Sequence, residues 1–421
     1  MGDQTGEEGE YTVLLQIKPD EYTVLERRSH AQYFCFRSTV SDLEPDSATT
    51  VTYVIDNADK VSYPKAWKGS TVFYTTNVVD ADSWKRKTDT TYDKNGNLVW
   101  THTHERNGSI YFSYFPPYSY ERHLDLVAQC GGYANVQSLG QTLDGREMDC
   151  IQAGSGDRVC WIIHRQHPGE PMAEFYAEGL LTRLLGLDSN GEVDGLVQKV
   201  LSLYTFYIVP SMCPDGAVRG HLRTNGVGSN LNREWADSRD QLGADYKAPT
   251  LERSPEVYHV KTKMEETGCD IFLDIHGDEE LPFNFFSGAE GTVHWGGSRL
   301  ESLHGVLCAA YSRTNPDMQI PVGYDPSPAG SALKNIATNA VADRFNCLAV
   351  TLEMPFKDCL SNPNPERGWS PNRARMLGAS VLEPLAYVHP YLRAETDDWI
   401  GRLPAEDAYV APSSQYNAND Y

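Results

Sequence analysis

Four apolar runs constrain this chain most. Val159–His164 (VCWIIH), Leu203–Pro210 (LYTFYIVP), Ile271–His276 (IFLDIH) and Cys347–Pro355 (CLAVTLEMP) are continuously hydrophobic rather than alternating. Strands of this kind are buried on both faces, as in a parallel sheet covered by helices. Segments of helical spacing lie between them. EFYAEGLLTRLL (Glu174–Leu185) is one, and SPEVYHVKTKMEET (Ser254–Thr267) is another, with Ser254 as N-cap and Pro255 at the first helical position. ERHLDLVAQCGGY, closed by a glycine pair, is a third. Strands alternating with helices predict an α/β domain over residues 118–395, with a mixed, largely parallel sheet flanked by helices.

Residues 1–117 read differently. YTVLLQI (Tyr11–Ile17), YFCFRSTV (Tyr33–Val40), TTVTYVI (Thr49–Ile55), STVFYTTNVV (Ser70–Val79) and SIYFSYF (Ser109–Phe115) are short and rich in β-branched and aromatic residues. Asp93-Lys94-Asn95-Gly96-Asn97 carries the Asn-Gly hairpin signal. This pattern predicts an antiparallel β-sandwich domain. His102 and His104 share one face of a strand, but with no third ligand nearby they predict no metal site. Residues 396–421, ending SSQYNANDY, read as a polar, partly disordered tail.

Composition narrows the function. The 421 residues carry 36 Lys and Arg against 58 Asp and Glu, a net charge of −22. Nucleic acid is excluded as a partner on that balance, because phosphate binding draws on basic residues. No apolar run approaches the roughly 18–20 residues of a membrane span. The acidic start does not resemble a signal peptide. Nine widely spaced cysteines with no C-x-x-C pair predict reduced thiols and a cytoplasmic protein.

The residues suited to chemistry fall at the ends of the apolar runs, where open α/β sheets collect their ligands. His167-Pro168-Gly169-Glu170 follows the first run, and its spacing lets an imidazole and a carboxylate turn toward one point. Taken alone, the pattern is common and also fits a solvated loop with a glutamate at a helix start. His276 ends the third run in Asp274-Ile275-His276-Gly277-Asp278, and followed by glycine it can face a cleft or serve as a structural histidine. Arg223 and the run Asn230-Leu231-Asn232-Arg233-Glu234-Trp235 offer cationic and amide donors for a carboxylate. Glu353, in Thr351-Leu352-Glu353-Met354-Pro355, would be costly to bury without a cation or an activated water beside it.

In this order, with Pro214-Asp215-Gly216 between them, these motifs resemble the zinc metallocarboxypeptidases, and most of all their cytosolic, deglutamylase-like branch. Tyr63–Gly69 (YPKAWKG) and Tyr114–Arg122 (YFPPYSYER) resemble that branch's amino-terminal β-domain and its junction. The resemblance implies one zinc ion held by His167, Glu170 and His276, with Arg223 polarising the scissile carbonyl. It implies Asn232 and Arg233 binding the substrate's terminal carboxylate and Glu353 acting as general base. The implied partners are peptide or protein C-termini, glutamate-rich ones in particular, and Lys334 and Arg344 are the cations available for an acidic side chain. Tyr324, in VGYDPSPAGS, is the candidate for a tyrosine closing over substrate. Asn230 departs from the family, which places an aspartate there to orient a zinc-bound histidine. A zinc deacylase of amino-acid derivatives and a non-catalytic protein-binding module are the alternatives to a carboxypeptidase.

Overall fold

The computed structural model describes residues 10–22, 29–44, 47–237, 248–295 and 299–417. Strands β1 (Glu10–Leu15), β2 (Cys35–Val40), β3 (Thr49–Ile55), β4 (Val72–Thr75), β5 (Lys85–Lys87), β6 (Thr91–Tyr92), β7 (Leu98–His104) and β8 (Gly108–Ser113) build two facing sheets. Their orders are β1-β3-β7-β6 and β2-β8-β4-β5. Side chains of β3 alternate strictly between buried and half-buried, so one face is free to enter the core. Tyr53 and Trp100 stack there at 5.5 Å, and Phe112 lies 4.7 Å from Tyr53. The Asn95-Gly96 hairpin forms as expected: Gly96 takes φ +82°, and the Asp93 carboxylate accepts the N–H groups of Asn95 and Asn97. One pairing departs from the antiparallel expectation, because β1 and β3 run parallel. The chain passes through β2 in the opposite sheet before returning as β3, and such a crossover permits a parallel pair that a hairpin does not.

The second domain follows the Phe115-Pro116-Pro117 junction. Its elements are α1 (Tyr120–Cys130), β9 (Asn135–Gln141), β10 (Glu147–Ala153), β11 (Arg158–His164), α2 (Met172–Leu185), α3 (Gly195–Leu203), β12 (Tyr204–Val209), α4 (Pro214–Arg219) and α5 (Pro255–Thr267). β13 (Ile271–Asp278), β14 (Phe285–Ser287), α6 (Arg299–Thr314), α7 (Ala337–Phe345), β15 (Leu348–Pro355), α8 (Pro371–Ala379) and α9 (Leu382–Val388) complete it. The sheet order is β14-β15-β13-β11-β12-β10-β9. The four apolar runs are its parallel centre, β15, β13, β11 and β12. β9, β10 and β14 add antiparallel edges, which their more polar or very short sequences did not announce. Ser254 occupies the N-cap of α5, but its hydroxyl donates to Glu234 Oε2 at 2.9 Å instead of capping the helix.

The two domains are tied together beside the β15 strand end. Tyr114 stacks on Phe356 at 4.6 Å, Lys357 Nζ donates to the Lys68 carbonyl at 3.0 Å, and Arg375 pairs with Asp82 at 2.6 Å. Residues 396–417 are not a detached tail. Asp407 is fully buried and accepts from Arg313 and Tyr387, each at 2.7 Å, and Ser413 bridges to Val322.

Glu256, near the start of α5, is fully buried, and burial pushes its carboxyl up to about 8. Asn225 Nδ2 donates to it at 3.2 Å. A raised folded-state value favours the protonated acid in the native protein. Its stabilising contribution is complete below about 4.5 and is lost as pH rises toward about 8, with a slope approaching about 1.4 kcal/mol per pH unit. Glu256→Gln is therefore expected to raise the melting temperature at pH 8 and to change it little at pH 4. Melting curves across that range check this, and an equal effect at both ends would refute it.

Candidate metal and catalytic site

The parallel strands end on one edge of the sheet, and the site is assembled there. β13 and β15 pair in a register that sets His276 opposite Glu353, so two adjacent strands deliver an imidazole and a carboxylate side by side. His167 comes from the turn after β11. That turn requires Arg165 at φ +55°, an uncommon backbone for any residue other than glycine. The buried Arg165 guanidinium holds it, donating to the carbonyls of Pro168 (2.8 Å) and Tyr118 (3.1 Å) and to Glu174 Oε1 (3.0 Å). Gly277 admits α2, since a Cβ there would sit 2.6 Å from Met172 Sδ. Its N–H donates to Glu170 Oε2 at 3.1 Å.

His167, Glu170 and His276 are all buried, and one ligand atom from each lies within 4.8 Å of the others. Nδ1 of His167 is 2.7 Å from Glu170 Oε1, Nδ1 of His276 is 2.8 Å from Glu170 Oε2, and the two ring nitrogens are 3.2 Å apart. The opposite ring nitrogens are also engaged. His167 Nε2 meets Asn230 Oδ1 at 3.1 Å, and His276 Nε2 lies 2.9 Å from Asp274 Oδ1. With Nε2–H directed at the Asn230 oxygen, His167 Nδ1 presents a lone pair to the shared centre, the tautomer a metal ligand needs. The electrostatics agree. Burial depresses His276, but Asp274 and Glu170 outweigh it and hold the imidazole well above its ordinary value. Burial and the nearby Arg223 push His167 down to about 3. Burial would raise Glu170, yet the two histidines hold it well below the carboxylate range. This donor set draws positive charge to its centre, and two imidazoles with one carboxylate suit zinc.

A cavity with a free volume of about 360 Å³ opens onto His167 and Glu170, with His276 buried just behind them. Glu353, Arg223, Asn232, Arg233 and Tyr324 all line it, so it gathers the expected site residues apart from His276 and the specificity cations. Glu353 is 8% exposed and its Oε2 has no hydrogen-bond partner among the described residues; burial raises its carboxyl well above the usual range. Asn232 Oδ1 accepts the Ala337 N–H at 2.9 Å, and its NH₂ group lies 3.5 Å from His276 Nε2. Tyr324 donates to Asp278 Oδ2 at 2.6 Å. Lys334 and Arg344 are not here. They line a separate cavity, where Lys334 pairs with Asp343 at 2.9 Å and Arg344 with Glu265 at 2.7 Å. Both lie on or just before α7, whose exposed side faces α5 rather than the sheet edge.

Sequence reasoning missed several groups. Gln166 donates to Asp274 Oδ2 at 2.6 Å and accepts from Trp235 Nε1 at 2.7 Å, so a buried relay backs His276. Asp274 stood in the quoted motif, and its spacing of two from His276 on one strand face was the available signal. The β-domain also reaches the site. Asp20, 7% exposed, accepts the backbone N–H groups of Leu222, Arg223 (2.8 Å) and Thr224 (2.9 Å), together with the Thr224 hydroxyl. Tyr63 OH accepts from Arg223 at 3.2 Å. Contacts across about 200 residues leave no local pattern to read.

Among known proteins, a zinc carboxypeptidase family model matches residues 120–358, and a cytosolic carboxypeptidase N-terminal domain model matches residues 3–115. A metallo-carboxypeptidase from Pseudomonas aeruginosa, solved in complex with (2-guanidinoethylmercapto)succinic acid, is 35% identical, with a TM-score of 0.80 over 93% of this chain and 97% of that one. A metallo-carboxypeptidase from Burkholderia cenocepacia is 35% identical at a TM-score of 0.79, over 91% and 95%. Mouse cytosolic carboxypeptidase 6 is 27% identical over 46% of this chain, and the match spans 36% of that protein.

Asp274→Asn keeps the shape of the relay and removes its charge. It is expected to weaken zinc affinity by roughly 10–100-fold, measured by competition with a chromophoric chelator. Unchanged affinity would show that Asp274 does not tune His276.

Proposed function

The chain belongs to the zinc carboxypeptidase family, and we propose from that premise that it hydrolyses the last residue from the C-termini of peptides or proteins with the residues gathered in this cavity. One observation carries the reading. Three convergent ligand atoms stand together, and two of those ligand residues share a 360 Å³ cavity with a carboxylate that has an unpartnered buried oxygen and with two arginines. His167, Glu170 and His276 would hold zinc, which when bound supplies a Lewis acid for the carbonyl and activates water at neutral pH.

The chain's own groups account for the remaining chemistry. Asn232 and Arg233 fix the terminal carboxylate and so confine cleavage to the last peptide bond. Water attacks the scissile carbonyl carbon, and its proton passes to Glu353. The C–N bond then breaks while Glu353 returns the proton to the departing amine, which balances the reaction as acid plus amine. Arg223 stabilises the charge that develops on the carbonyl oxygen, a contribution of about 3–4 kcal/mol for one donor. Asp20 acts through Arg223 by fixing the backbone on which it stands. A binding module without catalysis would have no use for the orphaned oxygen of Glu353. The deacylase alternative shares the ligands but would not require the β-domain matched over residues 3–115. A cytoplasmic setting accords with nine unpaired cysteines, eight of them buried, and no described helix is long and apolar enough to cross a membrane.

Glu353→Gln should lower the rate of amino-acid release roughly 10²–10⁴-fold while zinc stays bound. Full activity in that variant would sink the assignment. Asp20→Asn should lower kcat by about tenfold with little change in KM, because a positioning residue for the oxyanion donor acts in the transition state. Purified zinc-loaded protein and short peptides are sufficient for both measurements, and loss of zinc or of the melting transition would show instead that Asp20 is merely structural.

A further inference from the structure

The cavity is acidic. Glu170, Asp278, Glu279, Glu290, Asp325 and Glu353 line it, against Arg223 and Arg233. Most of these acids already have work or a partner. Glu170 faces the histidines, Glu353 faces the reacting centre, Asp278 takes the Tyr324 hydroxyl, and Asp325 accepts from Ser414. Glu290 is different. It follows β14, on the wall that also carries Ser287, Gly288, Thr338 and Thr351. Its side chain is 9% exposed. Tyr409 OH donates to Oε1 at 3.2 Å, and His304 Nδ1 stands 4.0 Å from the same oxygen. His304 is buried, and burial lowers its value so that the ring is neutral. Among the described residues no Lys or Arg pairs with Glu290.

A carboxylate so enclosed, with only neutral neighbours, is poorly compensated until a cation arrives. The surrounding wall supplies none. Thr338 and Thr351 bond each other at 2.6 Å. Gly288 leaves the approach open, since a Cβ at that position would come 3.0 Å from Glu290 Oε1. We propose that Glu290 is the specificity-determining residue for the terminal side chain and that the side chain it selects is cationic, a C-terminal Lys or Arg. The proposal rests on the carboxypeptidase reading, which commits Arg233 to the terminal carboxylate and Arg223 to the carbonyl. An acidic side chain would then meet Glu290 with no cation beside it, Lys334 and Arg344 being in another cavity. The net charge of −22 favours the same choice at long range, because it attracts basic chain ends and repels acidic ones.

The test uses zinc-loaded full-length protein and matched peptides ending in Arg, Lys, Gln, Glu or Phe. Arg and Lys should be released in preference to Gln. Glu290→Gln retains an oxygen for Tyr409 but removes the charge. It should lower kcat/KM for Arg and Lys by roughly 30-fold or more, with Gln release changed by less than about threefold. Tyr409→Phe retains the charge and removes the anchor, so the preference should survive. Preferred release of Glu would overturn the proposal, as would an equal loss on every peptide in Glu290→Gln. Binding to the Glu353→Gln variant by calorimetry separates this proposal from the reading beneath it. If no peptide is cleaved by the wild type, tighter binding of Arg than Glu peptides, abolished by adding Glu290→Gln, supports the selectivity while removing the hydrolase assignment. Equal binding of all the peptides would overturn the selectivity itself.

Discussion

Two imidazoles and a carboxylate held face to face are the constraint on which the rest of this molecule depends. Their Nδ1 atoms stand 3.2 Å apart around Glu170, an arrangement stable only with positive charge at the centre. The burial that makes it costly also makes it useful, because charges act strongly where water is excluded. Much of the nearby structure serves to keep it from relaxing. Arg165 pins the His167 turn, Asn230 sets the His167 tautomer, the Asp274 carboxylate stands 2.9 Å from His276, and Gln166 and Trp235 back Asp274.

Asn230 shows how such a site tolerates change. An amide oxygen accepts the His167 N–H as an aspartate would, but without its charge. The second histidine keeps a carboxylate beside it, and the two rings differ: burial and Arg223 depress His167, while Asp274 and Glu170 outweigh burial and raise His276. The asymmetry concentrates ligand basicity on the strand β13 side, next to Glu353.

The β-domain reaches the candidate site as well as building the fold. Its Asp20 clamps the backbone of the Arg223 loop, its Tyr63 touches the guanidinium, and Tyr114 stacks behind the end of the Glu353 strand. The acidic cavity is what the proposed preference for a basic terminal side chain rests on. The two cations expected to receive an acidic side chain are spent on Asp343 and Glu265 across α7 and α5. Burial of Glu290 on the cavity wall supplies the opposite sign.

The sequence by itself determined the layers and the strand ends, and a family resemblance pointed to the candidate ligands. Unbroken apolar runs can only be interior parallel strands, and a polar group that ends such a run must lie at the sheet's edge, where His276 and Glu353 are found. His167-x-x-Glu170 was likewise legible, because its geometry is local. The antiparallel edges β9, β10 and β14, the parallel β1–β3 pair and the packed segment 396–417 were decided by tertiary structure, since half-buried or very short elements take their conformation from their neighbours. So were the Asp20 clamp, the relay behind His276, the exclusion of Lys334 and Arg344 and the placement of Glu290. Each depends on which distant side chains share a cavity or a buried hydrogen bond, and no spacing along the chain encodes that.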